Sequence, residues 1–202
     1  MNFSKIRTKL LIVCGLCIAL AATGITYALL TTKSDTNENA FSGANAKVNI
    51  SVVEEGKAGE FEDAPGNTVI YDTIEKDKTI GKVVQIKNKE NSANAYIRVK
   101  LNPVFVNDEN PDEMLGKKVE VTFNFAKESK WKLEESTNTY YFTESVPGDG
   151  LTGVLLESVT LNEDQPEGYH LEVQVLADAV SADSITEAWK TDAETINNYK
   201  AL

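Results

Sequence analysis

Apolar and polar residues alternate over several short stretches of this chain. Val48, Ile50 and Val52 share one parity, with Asn49 and Ser51 between them. Ile97, Val99 and Leu101 alternate with Arg98 and Lys100, and Val119, Val121, Phe123 and Phe125 with Glu120, Thr122 and Asn124. Leu171, Val173 and Val175 alternate with Glu172 and Gln174. A period of two puts apolar side chains on one face and polar ones on the other, which is the pattern of half-buried antiparallel strands. Further strands are expected over 68–74, 80–87, 139–143 and 151–161. The turn signals between them include Pro65-Gly66-Asn67, Asn107 to Gly116, Pro147-Gly148-Asp149-Gly150 and Asn162 to Gly168. Short strands punctuated in this way predict an all-β protein, an antiparallel β-sandwich.

The periodicity changes near the end. Ile185, Ala188, Trp189, Ala193 and Ile196 recur at helical spacing, and Ser184 and Glu187 have the spacing of a capping box. The pattern predicts a short C-terminal amphipathic helix at about 184–200 that packs Trp189 onto the sandwich.

The start of the chain has a third pattern. Lys5, Arg7 and Lys9 precede a charge-free stretch from Leu10 to Leu30, and Thr26-Tyr27-Ala28 ends it with a small residue. A basic lead, an apolar stretch and a small residue describe a secretory signal peptide cut between Ala28 and Leu29. A helix over the same stretch would be about 31 Å long, enough to cross a bilayer, so length does not separate a cleaved signal from an anchor. Gly24 and the Ala/Thr-rich end favour cleavage. The expected organisation is a signal peptide over 1–28, a flexible polar leader over 29–45 and one sandwich domain over 46–202. The leader's apolar residues are chiefly Leu29, Leu30 and Phe41.

Composition sharpens this reading. The 202 residues carry 20 Lys+Arg against 31 Asp+Glu, a formal net charge of −11. Cleavage would remove Lys5, Arg7 and Lys9 and no acid, leaving −14. Such a chain repels nucleic acid and anionic headgroups, so no nucleic-acid partner is expected, and membrane contact only through the segment before the cut. Cys14 and Cys17 both lie in the apolar stretch, where they read as small apolar residues. The exported chain would therefore be held together by its core without disulfides.

Catalytic signatures are sparse. His170 is the single histidine, so an H-E-x-x-H zinc site cannot be built, and no nucleophile-elbow motif accompanies it. It reads as a strand-edge histidine without a catalytic role. Asp108-Glu109-Asn110-Pro111-Asp112-Glu113 is rich in oxygen ligands but lacks the spacing and central glycine of a calcium loop, and reads as solvated, as does the weaker cluster of Glu60, Glu62 and Asp63. No catalytic residue, metal or cofactor is expected. Tyr140-Tyr141-Phe142 puts aromatics on both faces of one strand. It offers either a flat binding face for a sugar or a partner, or a strand covered on both sides.

Thr23-Gly24-Ile25-Thr26-Tyr27-Ala28 followed by Asn39-Ala40-Phe41-Ser42-Gly43 resembles the start of the TasA/camelysin family. Val84 to Asn88 with Ala95 to Lys100, Tyr140-Tyr141-Phe142, Pro147-Gly148, Leu155 to Val159 and Ala177 to Val180 through Ala188-Trp189 extend the likeness more loosely. The resemblance implies export by a SipW-type signal peptidase in a Gram-positive bacterium and a jelly-roll-like sandwich. For the family's best-known branch it also implies assembly into biofilm-matrix fibres, in which an N-terminal segment of one subunit completes a sheet of the next. The leader, with Leu29, Leu30 and Phe41, is the candidate donor. The metalloprotease label of camelysin does not carry over, because the zinc motif is missing. The leading expectation is a secreted, non-enzymatic structural protein of the cell surface or biofilm matrix, with itself or other matrix proteins as partners. A monomeric extracellular binding module for a glycan or protein is the alternative, and a hydrolase the remote one. The closing residues, Asn197 to Leu202, carry no sorting motif, so covalent wall attachment is not expected.

Overall fold

The computed structural model describes residues 38–39, 47–55, 61–63 and 74–202. The chain divides into two units, Met1–Lys33 and Ser34–Leu202, and all described residues belong to the second. Its strands are β1 (Glu38–Asn39), β2 (Val48–Glu55), β3 (Phe61–Asp63), β4 (Thr79–Asn88), β5 (Ala95–Asn107), β6 (Val121–Phe125), β7 (Trp131–Glu134), β8 (Thr139–Phe142), β9 (Leu156–Leu161), β10 (Tyr169–Ser181) and β11 (Lys200–Ala201). They form two sheets. The first runs β1-β2-β4-β9-β6 with β3 also on β2, and the second runs β10-β5-β8-β7-β11. Every pairing is antiparallel. The sandwich read from the alternation is the fold found.

Alternation does the expected work between the sheets. Val48, Ile50, Val84, Ile86, Ile97, Val99 and Val173 turn inward and pack in one buried cluster with Trp131, Leu155, Leu156 and Val159. Burying side chains of this size stabilises by roughly 1.5–3 kcal/mol each relative to exposure. A second cluster of Ile74, Phe105, Val119, Leu161 and Leu171 extends the core. Pro103, which lacks a backbone donor, is tolerated in β5 because β8 pairs only with Arg98 and Val99 and does not reach it. Register slips on both sides of β9 next to Ser158, so Leu156 and Val159, three residues apart, are both buried.

Two expectations need correction, and one strand was not foreseen. The region 151–155 lies outside β9: Thr152 binds Ile86 through both its backbone N and its Oγ1, and β9 begins only at Leu156. β7 carries too short a pattern to be read as a strand, yet Trp131 is completely buried in it. The tail is two short helices, not one. A 3-10 turn, Ala182–Ser184, leads into α1 (Ile185–Trp189). Lys190, in the left-handed region at φ 56°, ends α1 and prevents a continuous helix. Asp192 then caps α2 (Ala193–Asn197) by accepting from the Thr195 backbone N at 2.7 Å, whereas Ser184 makes no side-chain cap. β11 finally pairs with β7, so the tail links the edge strand β10 to the opposite end of the same sheet.

Of the expected 68–74 strand, residues 68–73 lie outside the described residues, and Ile74 is buried in a loop where its backbone N donates to Gln165 Oε1.

Candidate functional site

The signal-cleavage residues Thr26, Tyr27, Ala28 and Leu29, and the leader residues Leu30 and Phe41, lie outside the described residues. No helix among the described residues is long and apolar enough to cross a membrane.

The aromatic run is placed, and it is covered on both faces. Tyr140, Tyr141 and Phe142 are 3%, 4% and 5% exposed, so the flat binding face considered above is not presented. Tyr140 and Phe142 join the core, Tyr140 stacking tilted on Phe125 at 5.1 Å and Phe142 on Trp131 at 5.3 Å. Tyr141 points the other way, and the helical tail closes over it. Trp189 meets it edge-on at 5.7 Å and Tyr199 at 5.3 Å, while Val180, Ile185 and Ile196 complete a small outer core. Arg98 lies 4.6 Å over the Trp189 ring, and Asp178 Oδ2 accepts from Arg98 Nε at 2.9 Å and from Trp189 Nε1 at 3.2 Å. These contacts fasten α1 to the second sheet. Burial raises the Tyr141 hydroxyl above its ordinary pKa, and the neighbouring Arg98 pulls it part of the way back. Tyr140 is raised by burial.

His170 sits in a clasp. Its Nδ1 lies 2.7 Å from Asp108 Oδ1 and its Nε2 3.3 Å from Glu172 Oε1. The acid-rich turn is organised by its own chain: Asn107 Oδ1 accepts from the backbone N of Glu109 and of Asn110. Asp108 is thereby directed to His170, and the Tyr169 hydroxyl donates to Glu113 Oε1 at 3.4 Å. Among the described residues, no three His, Cys, Asp or Glu side chains converge as metal ligands. Glu62 and Asp63 fall in β3, and Glu60 outside the described residues.

One concave surface lies at the end of the sandwich between the β6–β7 and β8–β9 connections. It encloses about 590 Å³ over an apolar floor of Phe142, Val146 and Val154, with Leu151, 51% exposed, at its margin. Lys130 pairs with both Glu144 carboxylate oxygens at 2.7 and 2.8 Å on its rim, and Glu128 and Glu157 add negative charge. The 145–150 loop beside it is held against the neighbouring turn. A Cβ on Gly148 would meet the Ser92 carbonyl oxygen at 2.5 Å, so glycine is required there. Ser129 in the groove is engaged in structure, accepting from the Trp131 backbone N at 3.1 Å, and His170 does not line it. Among the hydrogen bonds of the described residues, none joins a serine of this groove to a carboxylate or a lysine. The groove takes in Phe142 of the aromatic run and Pro147 of the turn that follows it.

The described chain is thus a β-sandwich without a catalytic-looking constellation, metal site or disulfide among the described residues, an architecture suited to structural or binding work. Comparison with known proteins returns no match: no family model, curated protein or solved structure shows similarity to this chain.

Proposed function

We propose that this chain is an exported, non-enzymatic structural protein of the cell surface or biofilm matrix, and that it assembles by donating its leader to the sheet of a neighbouring copy. In this reading a signal peptidase cuts between Ala28 and Leu29 and the leader becomes the free N-terminus. No cofactor takes part, and the partners are further copies or other matrix proteins.

The observation that carries the reading is the pairing of β1. Glu38 and Asn39, from the polar segment ahead of the sandwich, pair antiparallel with Asn49 and Val48 of β2. That segment therefore has strand-forming contact with a sheet edge within its own chain, and exchanging the intramolecular edge for that of another copy uses the same backbone hydrogen bonds. An extended stretch from Leu29 to Ala46 would reach roughly 60 Å, ample for a neighbour. Head-to-tail contacts of this kind propagate into filaments.

The test is N-terminal sequencing of protein from culture supernatant, with a blot of the membrane fraction, followed by electron microscopy of the secreted protein. The expected result is a start at Leu29 or within a residue or two, and fibres that appear with rising concentration and vanish when 29–39 are deleted. An intact Met1 found only in membranes, or a secreted protein that stays monomeric across concentration, salt and pH, overturns the proposal.

A further inference from the structure

We infer that the outward face of β4, β9 and β6 is a binding face for a neutral polysaccharide. Register builds it. Thr79 stands opposite Thr160, and Thr160 opposite Thr122, giving a row of three threonines across the three strands. One step along, Gly81 stands opposite Ser158 and Ser158 opposite Asn124. The side chains are tied to one another: Thr79 Oγ1 lies 2.7 Å from Thr160 Oγ1, and Asn124 Nδ2 donates to Ser158 Oγ at 3.1 Å and to Thr160 Oγ1 at 3.3 Å. Asn162 Nδ2 donates to Thr122 Oγ1 at 2.9 Å and extends the array. Thr79 and Thr122 are exposed, and Asn124, Ser158 and Thr160 half-buried.

The charge pattern identifies the partner. The chain carries −11 overall, yet no outward position is charged over 79–86 along β4, over 158–162 along and just past β9, or over 121–126 along and just past β6. Lys82, the one charged residue inside those limits, is buried against Glu54. Inside the rim of Lys78, Glu120 and Glu157, a partner lying on this face meets no ion that must be stripped of water, a step that costs far more than desolvating a hydroxyl or amide. Hydroxyl and amide groups each both donate and accept, as sugar hydroxyls do, and the threonine methyls give contact to the C–H faces of a sugar ring. An anionic polymer gains nothing here and is repelled by the rest of the surface.

Area argues against a second copy. Strands about 4.8 Å apart and same-face rows about 6.8 Å apart make the neutral patch on the order of 200 Å². A stable protein interface needs about 800 Å² on each partner. The patch suits a few sugar units of a long chain, held weakly at each copy and firmly when many copies share one polymer. This inference does not depend on leader exchange, because the face lies on strands the leader does not pair with.

The experiment is native electrophoresis of the purified protein in gels cast with dextran, laminarin, galactomannan or hydroxyethyl cellulose. Plain gels and alginate gels are the references, and Thr122→Glu, Thr79→Glu and Thr122→Ser are run alongside. Both glutamates enter at exposed positions, and circular dichroism confirms that the variants fold. The expected result is retardation by at least one neutral polymer, weakened five-fold or more by each glutamate and retained by Thr122→Ser. No retardation in any neutral gel, equal retardation of the glutamate variants, or retardation by alginate instead overturns the inference. A dimer in sedimentation that the glutamate variants abolish overturns it too, assigning the face to a second copy.

Discussion

At the residue scale, the most consequential pair is one that the strand pattern hides. Glu54 and Lys82 meet at 2.7 Å with side chains only 9% and 1% exposed. Position 82 shares parity with the buried Val84 and Ile86, so alternation forecasts an apolar residue there, and a lysine reads as an interruption. A buried ion is tolerated only while its partner remains. Glu54→Leu or Lys82→Met alone is expected to lower stability by about 3–5 kcal/mol in urea unfolding, whereas the double variant recovers most of the loss. Single variants within 1 kcal/mol of the parent, taking about 1 kcal/mol as the smallest decisive difference, would show that water reaches the pair.

Glu163 behaves differently because it is near the surface. Lys117 Nζ bonds one of its oxygens, and the Glu120 backbone N donates to the other at 2.8 Å. These bonds hold its carboxyl below the ordinary value of 4.5, with Lys117 the larger cause. A depressed folded value means that the stabilisation is fully present above the unfolded pKa and is lost as pH falls through the folded one. Between about pH 5 and about pH 3, the denaturation midpoint of the parent should therefore fall more than that of Glu163→Gln. Parallel curves for the two proteins would remove the assignment.

At the element scale, what the sequence made legible follows from periodicity. β2, β5 and β10 have long alternating runs and were readable; in β10, Leu171, Val173 and Val175 mark the inward face. β7 was not readable, because it holds four residues and its largest contribution, Trp131, gains its place from Phe142 on another strand. The aromatic run showed why local pattern cannot settle exposure. Tyr141 has the parity of an outward residue, and only the return of a tail some fifty residues later buries it. The helical spacing in that tail was real, but Lys190 in a left-handed conformation divides it, a choice that spacing does not encode.

The divided tail makes a clear prediction. Ile196 is fully buried in the outer core, although α2 is only five residues long and too short to be stable alone. Ile196→Ala should cost about 2–5 kcal/mol if that small core is coupled to the whole sandwich. If the tail opens independently, the global unfolding midpoint will move little. Hydrogen exchange will instead rise over 182–202 while β5 and β10 stay protected. The second outcome is expected, because the contacts of Ile196 lie in a cluster distinct from the one between the sheets.

At the scale of the whole molecule, charge would set the conditions for the proposed assembly. Removal of residues 1–28 would leave a net charge of −14, so copies approaching one another would be repelled until the proposed backbone pairing begins. Screening length falls from about 30 Å at 0.01 M salt to about 3 Å at 1 M. If leader exchange is the assembly step, its hydrogen bonds are insensitive to salt while the repulsion before it is not. Light scattering of the processed protein should therefore show a lag that shortens several-fold as salt rises over that range. A leader carrying Asp35→Asn and Glu38→Gln should assemble faster at low salt and lose most of that advantage at high salt. A lag that lengthens with salt would mean that opposite charges steer the copies together. The donor segment would then have to be sought at a basic surface and not at an uncharged strand edge.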